Sequence, residues 1–177
     1  MDEKQEMVAS LESGQQELLE AQSGLSEGEA RRSPAPDRWS VLECVEHVAV
    51  VEDYLFEQIL ASQAVEVPVV NPQREKRISL RGMDRGFKIE APDFARPAGR
   101  FPSLAAATQR FVESRARTIR YVEDCSVDLR SRLTTHPLIG TVNCWENLLL
   151  MAMHPRRHAA QIREIRKEVA AERHLIP

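Results

Sequence analysis

Apolar residues recur along this chain at helical rather than strand spacing, in four separate segments. The first, roughly Asp2 to Ser23, sets Met7, Leu11, Leu18 and Leu19 on one side, but Gly14 stands where the stripe needs an apolar residue. It is the weakest helix of the four. The second opens at WSVLE, where Ser40 can accept from a backbone N–H as N-cap and Glu43, three residues later, can close a capping box. Its inward stripe is Val41, Cys44, Val45, Val48, Val51, Leu55 and Ile59. The third starts near Ser103 and aligns Leu104, Thr108, Phe111, Val112, Ile119 and Val122, with Arg115 intruding at the edge, where it either snorkels or meets a substrate. The fourth follows HPLIGTVN, where Asn143 and Glu146 repeat the capping-box spacing, and runs to about Ala171. Its stripe reads Leu148, Met151, His154, His158, Ile162, Ile165 and Val169.

Between the second and third segments, residues 62–102 lose the helical period and collect Pro68, Pro72, Pro92, Pro97 and Pro102 with Gly82, Gly86 and Gly99. This stretch is expected to be a crossover, not a second domain. A connection of about 40 residues can return the length of a helix, so the second and third helices can run parallel, while short links make the other neighbours antiparallel. No strand alternation and no internal repeat compete with this reading. The pattern predicts an all-α fold, one domain over residues 1–177: a four-helix bundle, up-down-down-up, with a long crossover between helices two and three. Helices two and four face each other across its core.

Charge narrows the classes of partner. Lys plus Arg number 24 against 27 Asp plus Glu, for a formal charge of −3, and nothing global favours a polyanion such as nucleic acid. The stretch REKRISLRGMDRGFK on the crossover holds six basic and two acidic residues, either as a solvated loop or as a collector of an anionic ligand. The start, MDEKQEMVAS, is charged and acidic where a signal peptide would be basic and then apolar, and the run LLLMAM is too short to span a bilayer. A soluble cytoplasmic protein without membrane contact is expected. Cys44, Cys125 and Cys144 show no C-x-x-C spacing and read as reduced thiols, mostly core filler.

The chemistry sits on two of the stripes. His154 and His158 lie four apart in MHPRRHAAQI, so their side chains stack on one face of a helix and can point at one ion. A buried imidazole left unpartnered costs on the order of 1–3 kcal/mol, so core histidines must be satisfied by something. His47 shares the inward face of Cys44 and Val51 on the helix expected to lie opposite. Three histidines converging from two helices make a metal-site arrangement. Pro155 withholds the N–H that the Met151 carbonyl would accept; it either kinks one helix or is the first residue of a separate one. His136 precedes the fourth helix, about 16 Å below His154, and is expected to stay clear of the ion. His174 lies in the tail and is expected to be exposed.

Three motifs, W-S-x-x-E-x-x-x-H at Trp39 to His47, H-P-x-x-G at His136 to Gly140 and H-x-x-R-H-x-x-Q-I at His154 to Ile162, together resemble the DinB-like family. Its superfamily includes the bacillithiol transferase relatives. The resemblance implies a four-helix bundle with a three-histidine site for a divalent ion, nickel or zinc above others, and often a homodimer. The ligands it implies are His47, His154 and His158. Arg157 and Gln161 belong to the same signature and are expected to pack or to support the ligands from behind.

Three neutral imidazoles leave an ion its full charge and an open position, as catalytic sites do. A bound water would fall to a pKa of about 7, and a bound thiol would be deprotonated outright. Hydrolysis also calls for a positioned carboxylate. Glu43 is either the capping-box acid or a partner that orients the His47 ring, while Glu46 and Glu52 are expected to be solvated. A thiol nucleophile needs no such base. The expected function is a metal-dependent enzyme acting on a small molecule, most readily a thiol S-transferase of the bacillithiol or mycothiol type that takes a low-molecular-weight thiol. A metal-dependent hydrolase and a non-catalytic metal or stress-ligand binding protein are the alternatives. A role on DNA has neither a basic face nor a recognition helix behind it.

Overall fold

In the computed structural model the described residues are 2–86 and 89–173; His174, and Phe87 and Lys88 of the basic run, lie outside them. In chain order the elements are α1 (Glu3–Gln22), the single turn α2 (Glu27–Ala30), α3 (Val41–Leu60), β1 (Gln63–Ala64), α4 (Pro72–Arg81), α5 (Leu104–Asp124), β2 (Arg132–His136), β3 (Gly140–Asn143) and α6 (Cys144–Arg173). The long helices begin where the capping signals stand. Ser40 N–H donates to Glu43 Oε2 at 2.7 Å and Glu43 N–H returns to Ser40 Oγ at 3.2 Å. Asn143 and Glu146 make the same exchange at 3.1 and 2.7 Å, and Asp2 with Gln5 caps α1.

The pairings fix the topology as up-down-down-up. Glu52 meets Arg115 and Phe56 meets Tyr121, so α3 and α5 run parallel. His47 meets His154 while the Leu55 carbonyl accepts from Asn147, so α3 and α6 are antiparallel. Ser10 and Ala21 on α1 accept from Arg156 and Arg166 on α6, which makes those two parallel. The bundle is the one the apolar pattern predicts. No helix among the described residues is long and apolar enough to cross a membrane.

The apolar core comes in two clusters with a polar layer between them. One holds Met7, Leu11, Leu55, Ile59, Val122, Leu148 and Met151; the other holds Leu18, Val41, Val45, Val48, Phe111, Ile162 and Ile165. Between them, at the level of Pro155, lie Gly14, Glu52, Ser114, Arg115 and Thr118, all buried. Arg115 neither snorkels nor reaches a substrate. It is fully buried, pairs with both Glu52 oxygens at 2.8 Å, and donates to the carbonyls of Leu11 at 2.7 Å and Met151 at 2.8 Å. The Met151 carbonyl, deprived of its helical partner by Pro155, thus takes a donor from α5. Thr118 adds a bond to Glu52 at 3.1 Å.

This layer corrects several readings. The buried face of α5 is Ala107, Phe111, Ser114, Arg115, Thr118 and Val122, rotated away from Val112 and Ile119, which are only partly buried. Glu52 is not solvated, and neither is Glu46, whose carboxylate accepts from the Ala98 and Arg100 N–H groups and pairs with the Arg100 side chain at 2.8 Å. Pro155 does not open a separate helix, since α6 is continuous through it. Gly14 is not a flaw in α1 either. A Cβ there would stand 2.5 Å from the Ala152 carbonyl oxygen and 3.1 Å from Pro155 Cγ, so the missing side chain lets α1 close on α6.

The crossover carries more structure than its prolines suggest. Asn71 caps α4 with Pro72 in the first turn, a position where the absent N–H costs nothing, and only Ile78 of that helix is buried. The β2–β3 hairpin joins β1 in a three-stranded antiparallel sheet, with Leu133 opposite Asn143 and His136 opposite Gly140. Strands this short fall below the length at which alternation can be read. Of the three thiols, Cys44 and Cys144 are buried and Cys125 is half-buried. Burial pushes the Cys44 and Cys144 thiols up and leaves them inert.

Two substitutions measure the layer. Arg115→Met leaves Glu52 charged and buried with two carbonyls unpaired, and denaturant unfolding is expected to show a loss of about 3–5 kcal/mol. Gly14→Ala gains up to about 1 kcal/mol of helix propensity but overpacks the α1–α6 contact at a cost of about 1–3 kcal/mol. Its net effect is expected to be destabilising, and an unfolding midpoint above wild type would show that the two helices can part there without loss.

Candidate metal centre

His47 lies one and a half turns into α3, and His154 and His158 lie on successive turns of α6, so the antiparallel contact of these helices brings all three together. His47 Nε2 and His158 Nε2 each stand 3.1 Å from His154 Nε2. The sequence-predicted ligands therefore form one cluster, with their ligand atoms within 4.8 Å of one another. His47 and His158 are buried, while His154 keeps part of its surface open.

The His47 ring is held from behind by a backbone carbonyl. Its Nδ1–H donates to Ala95 O at 2.7 Å, which leaves Nε2 as a bare lone pair facing the other two rings. Ala95 closes a short 3-10 turn, Asp93–Ala95, on the crossover. Glu43 has no part in this, being committed to its cap. Burial lowers the pKa of all three imidazoles, most strongly for His154 and His158, where the neighbouring histidines add to the effect. They are neutral donors. His158 Nδ1 has no hydrogen-bond partner among the described residues, so nothing there offsets the burial of that ring.

These features fit a divalent ion. Three nitrogens each about 2.0–2.1 Å from an ion in tetrahedral geometry stand about 3.3 Å apart, and the two separations from His154, 3.1 Å each, are close to that. At 3.1 Å two bare Nε2 lone pairs repel unless a proton or a cation lies between them, and a single proton can join only two of the three.

The cluster opens onto a cavity of about 950 Å³. The Trp39 ring lies 4.9 Å from His47 and stacks over His158 at 6.3 Å, closing one side. Tyr54 and Phe94, 4.2 Å apart between ring centres, line the apolar end with Val51, Leu138 and Ile89. Arg85 lines the cavity too, clamped to Glu164 at 2.6 Å and to Gln161 at 3.2 Å. Gln161 thus holds a wall arginine rather than a ligand ring. Of the other arginines in the basic run, Arg74 turns away to Glu146 at 3.1 Å.

The family described as the DinB superfamily matches residues 10–162. The chain belongs to the DinB superfamily. Among solved structures, this DinB chain is similar to YfiT from Bacillus subtilis, described as a probable metal-dependent hydrolase with an unusual four-helix bundle topology. Identity is 18%, coverage 96% of this chain and 90% of that one, and TM-score 0.63. A conserved protein from Enterococcus faecalis matches at 16% identity over 97% and 99% of the two chains, TM-score 0.66. The four-helix bundle protein TT2238 matches at 17% over 91% and 98%, TM-score 0.58. At such identities these likenesses establish the shared fold. No curated protein matches the chain.

Sequence reasoning missed the walls of the DinB site more than its centre. Ala95 acts through a backbone carbonyl, which no residue type announces. Tyr54 and Phe94 sit on separate elements with no shared motif. His136 stays clear of the three-histidine cluster, as expected, but lines the same cavity, because it sits on β2 rather than on the axis of α6. Its place in H-P-x-x-G was the available signal.

The neutral rings set a pH dependence in the metal-free protein. Their folded pKa values are depressed, so the unfolded chain takes up protons below about pH 6.5 that the folded chain refuses. Their contribution is intact above that pH and is lost below it, by up to about 1.4 kcal/mol per pH unit for each imidazole. Melting temperature is expected to fall steadily from about pH 7.5 to about pH 5.5. A flat profile would show that the rings are not held neutral.

Proposed function

We propose that this chain is a divalent-metal-dependent enzyme in which His47, His154 and His158 hold the ion, nickel or zinc for preference, and that it transfers a low-molecular-weight thiol to a small electrophile. The observation that carries the reading is the convergence of three neutral imidazoles, one edge of the cluster open, on a cavity large enough for an organic substrate. With nitrogen ligands only, a bound ion would keep its full charge and hold a thiol as thiolate near neutral pH. The protein's own part is to keep the rings unprotonated by burial, to aim His47 through Ala95, and to shield one side with Trp39.

The carboxylates favour transfer over hydrolysis. Glu43 is spent in a helix cap, Glu46 on Arg100 and two backbone N–H groups, Glu52 on Arg115, and Glu164 on Arg85. Asp37 and Glu90, also in the lining, are exposed. Glu46 and Glu52, the buried ones, are thus committed to arginines, and Glu43, half-buried at the cavity edge, is held through Oε2 by its cap. The second reading, a metal-dependent hydrolase, draws on the description of YfiT.

Protein expressed with supplementary metal is expected to hold about one divalent ion per chain, and His47→Ala or His158→Ala to lose it, by elemental analysis. In cobalt-substituted protein, a small thiol is expected to add a sulfur-to-metal charge-transfer band that the His47→Ala protein lacks. A full complement of metal with no such band for any thiol, together with turnover of an ester or amide, would move the assignment to hydrolase.

A further inference from the structure

His136 is a motif residue that the reading above leaves without work. It ends β2, and its partner across the hairpin, Gly140, takes a φ of +75°, a conformation glycine adopts without strain, so the turn from Pro137 to Gly140 is tight. Inside that turn the Leu138 N–H donates to His136 Nδ1 at 3.2 Å. An atom that accepts a hydrogen bond carries no proton. Burial pushes the imidazole down to about 4, so the ring is neutral at physiological pH and its one proton resides on Nε2. That N–H has no acceptor among the described residues, and the ring belongs to the lining of the cavity into which the metal centre opens. A donor of fixed tautomer, on a tight hairpin at the cavity wall, is placed to meet an acceptor that the described residues do not supply.

The rest of the lining narrows the kind of acceptor. Arg38, Arg85 and Arg96 edge the same cavity, already bridged to Glu168, Glu164 and Asp93. Arg157 lines it as well, and the acids in the lining are Asp37, Glu43 and Glu90, so cations outnumber anions there by four to three; a charge-assisted hydrogen bond is about twice as strong as a neutral one.

Resting on the proposal that the metal centre binds a thiol, we propose that His136 is a specificity-determining residue whose Nε2–H bonds a carboxylate carried by the thiol substrate. The thiol end belongs to the three histidines and the acid end to the hairpin. The substrate class is accordingly a mercapto-carboxylic acid rather than a neutral thiol.

The test uses cobalt-substituted full-length protein titrated with 3-mercaptopropionate and with 1-propanethiol, which differ only in carboxylate against methyl. Dissociation constants are read from the charge-transfer band. Wild type is expected to favour the acid by about tenfold or more, and His136→Phe to reduce that ratio at least about fivefold while propanethiol binding moves by less than about twofold. His136→Gln, which keeps an N–H donor, is expected to restore part of the preference. Metal content of both variants is expected to equal wild type, since His136 is not a ligand; loss of metal would overturn the inference. Nitrogen-15 NMR of metal-free protein is expected to show the proton on Nε2, and a proton on Nδ1 would overturn it too. If both thiols ligate cobalt and the ratio is unmoved by His136→Phe, this inference fails and the thiol reading stands. If neither thiol ligates a fully loaded site, both fail.

Discussion

One guanidinium holds the bundle together at its weakest level. Arg115, on α5, bonds Glu52 on α3, the Leu11 carbonyl on α1 and the Met151 carbonyl on α6, and so touches all four long helices at once. It sits where Pro155 has removed a backbone donor from α6 and where Gly14 has removed a side chain from α1. A proline in the middle of a long helix ordinarily costs about 3 kcal/mol, much of it in the orphaned carbonyl. Here the orphan is answered from a neighbouring helix, and α6 stays continuous. The residue just before that proline is His154, so the arrangement that keeps α6 whole also stands beside the metal centre.

The three-histidine cluster depends on this frame in a second way. His47 comes from α3 and the other two histidines from α6, and the contact between those helices is antiparallel only because the crossover lets α3 and α5 run parallel. The crossover then does further work. Its α4 lies on α6, its 3-10 turn supplies the Ala95 carbonyl to His47 and the Phe94 ring to the cavity, and the segment between them adds Arg85 and Ile89 to the lining. Glu46 pins the stretch beyond that turn through Ala98 and Arg100, which explains why a carboxylate next to His47 is buried without joining the histidine cluster.

Electrostatics divide the labour between the buried carboxylates and the imidazoles. Glu46 and Glu52 face arginines and carry structure. The histidines face one another, and burial keeps them unprotonated, which is the state a metal requires. The same argument gives His136 a distinct character. It is buried enough to stay neutral but is bonded through Nδ1, so it presents a donor to the cavity where the other three present lone pairs.

By itself the sequence determined the four long helices, the starts of α3, α5 and α6, and which histidines share a face, because capping residues and apolar periodicity act within a few residues of chain. The up-down-down-up order also followed, from the length of one connection. Tertiary structure decided the rest. Gly14 looked like a defect until α6 was placed against it, and Arg115 read as an edge residue and Glu46 and Glu52 as solvated charge until their partners, 36 to 104 residues away, were brought into reach. Pro72 read as a breaker because the N-terminal position that suits it is defined only once α4 exists. Ala95 and His136 joined the cavity through a backbone carbonyl and a three-residue turn, interactions that depend on where the chain passes and not on a periodic pattern. Spacing along one helix can be read from residues alone, but the partner of a buried charge is chosen by the approach of elements far apart in the chain.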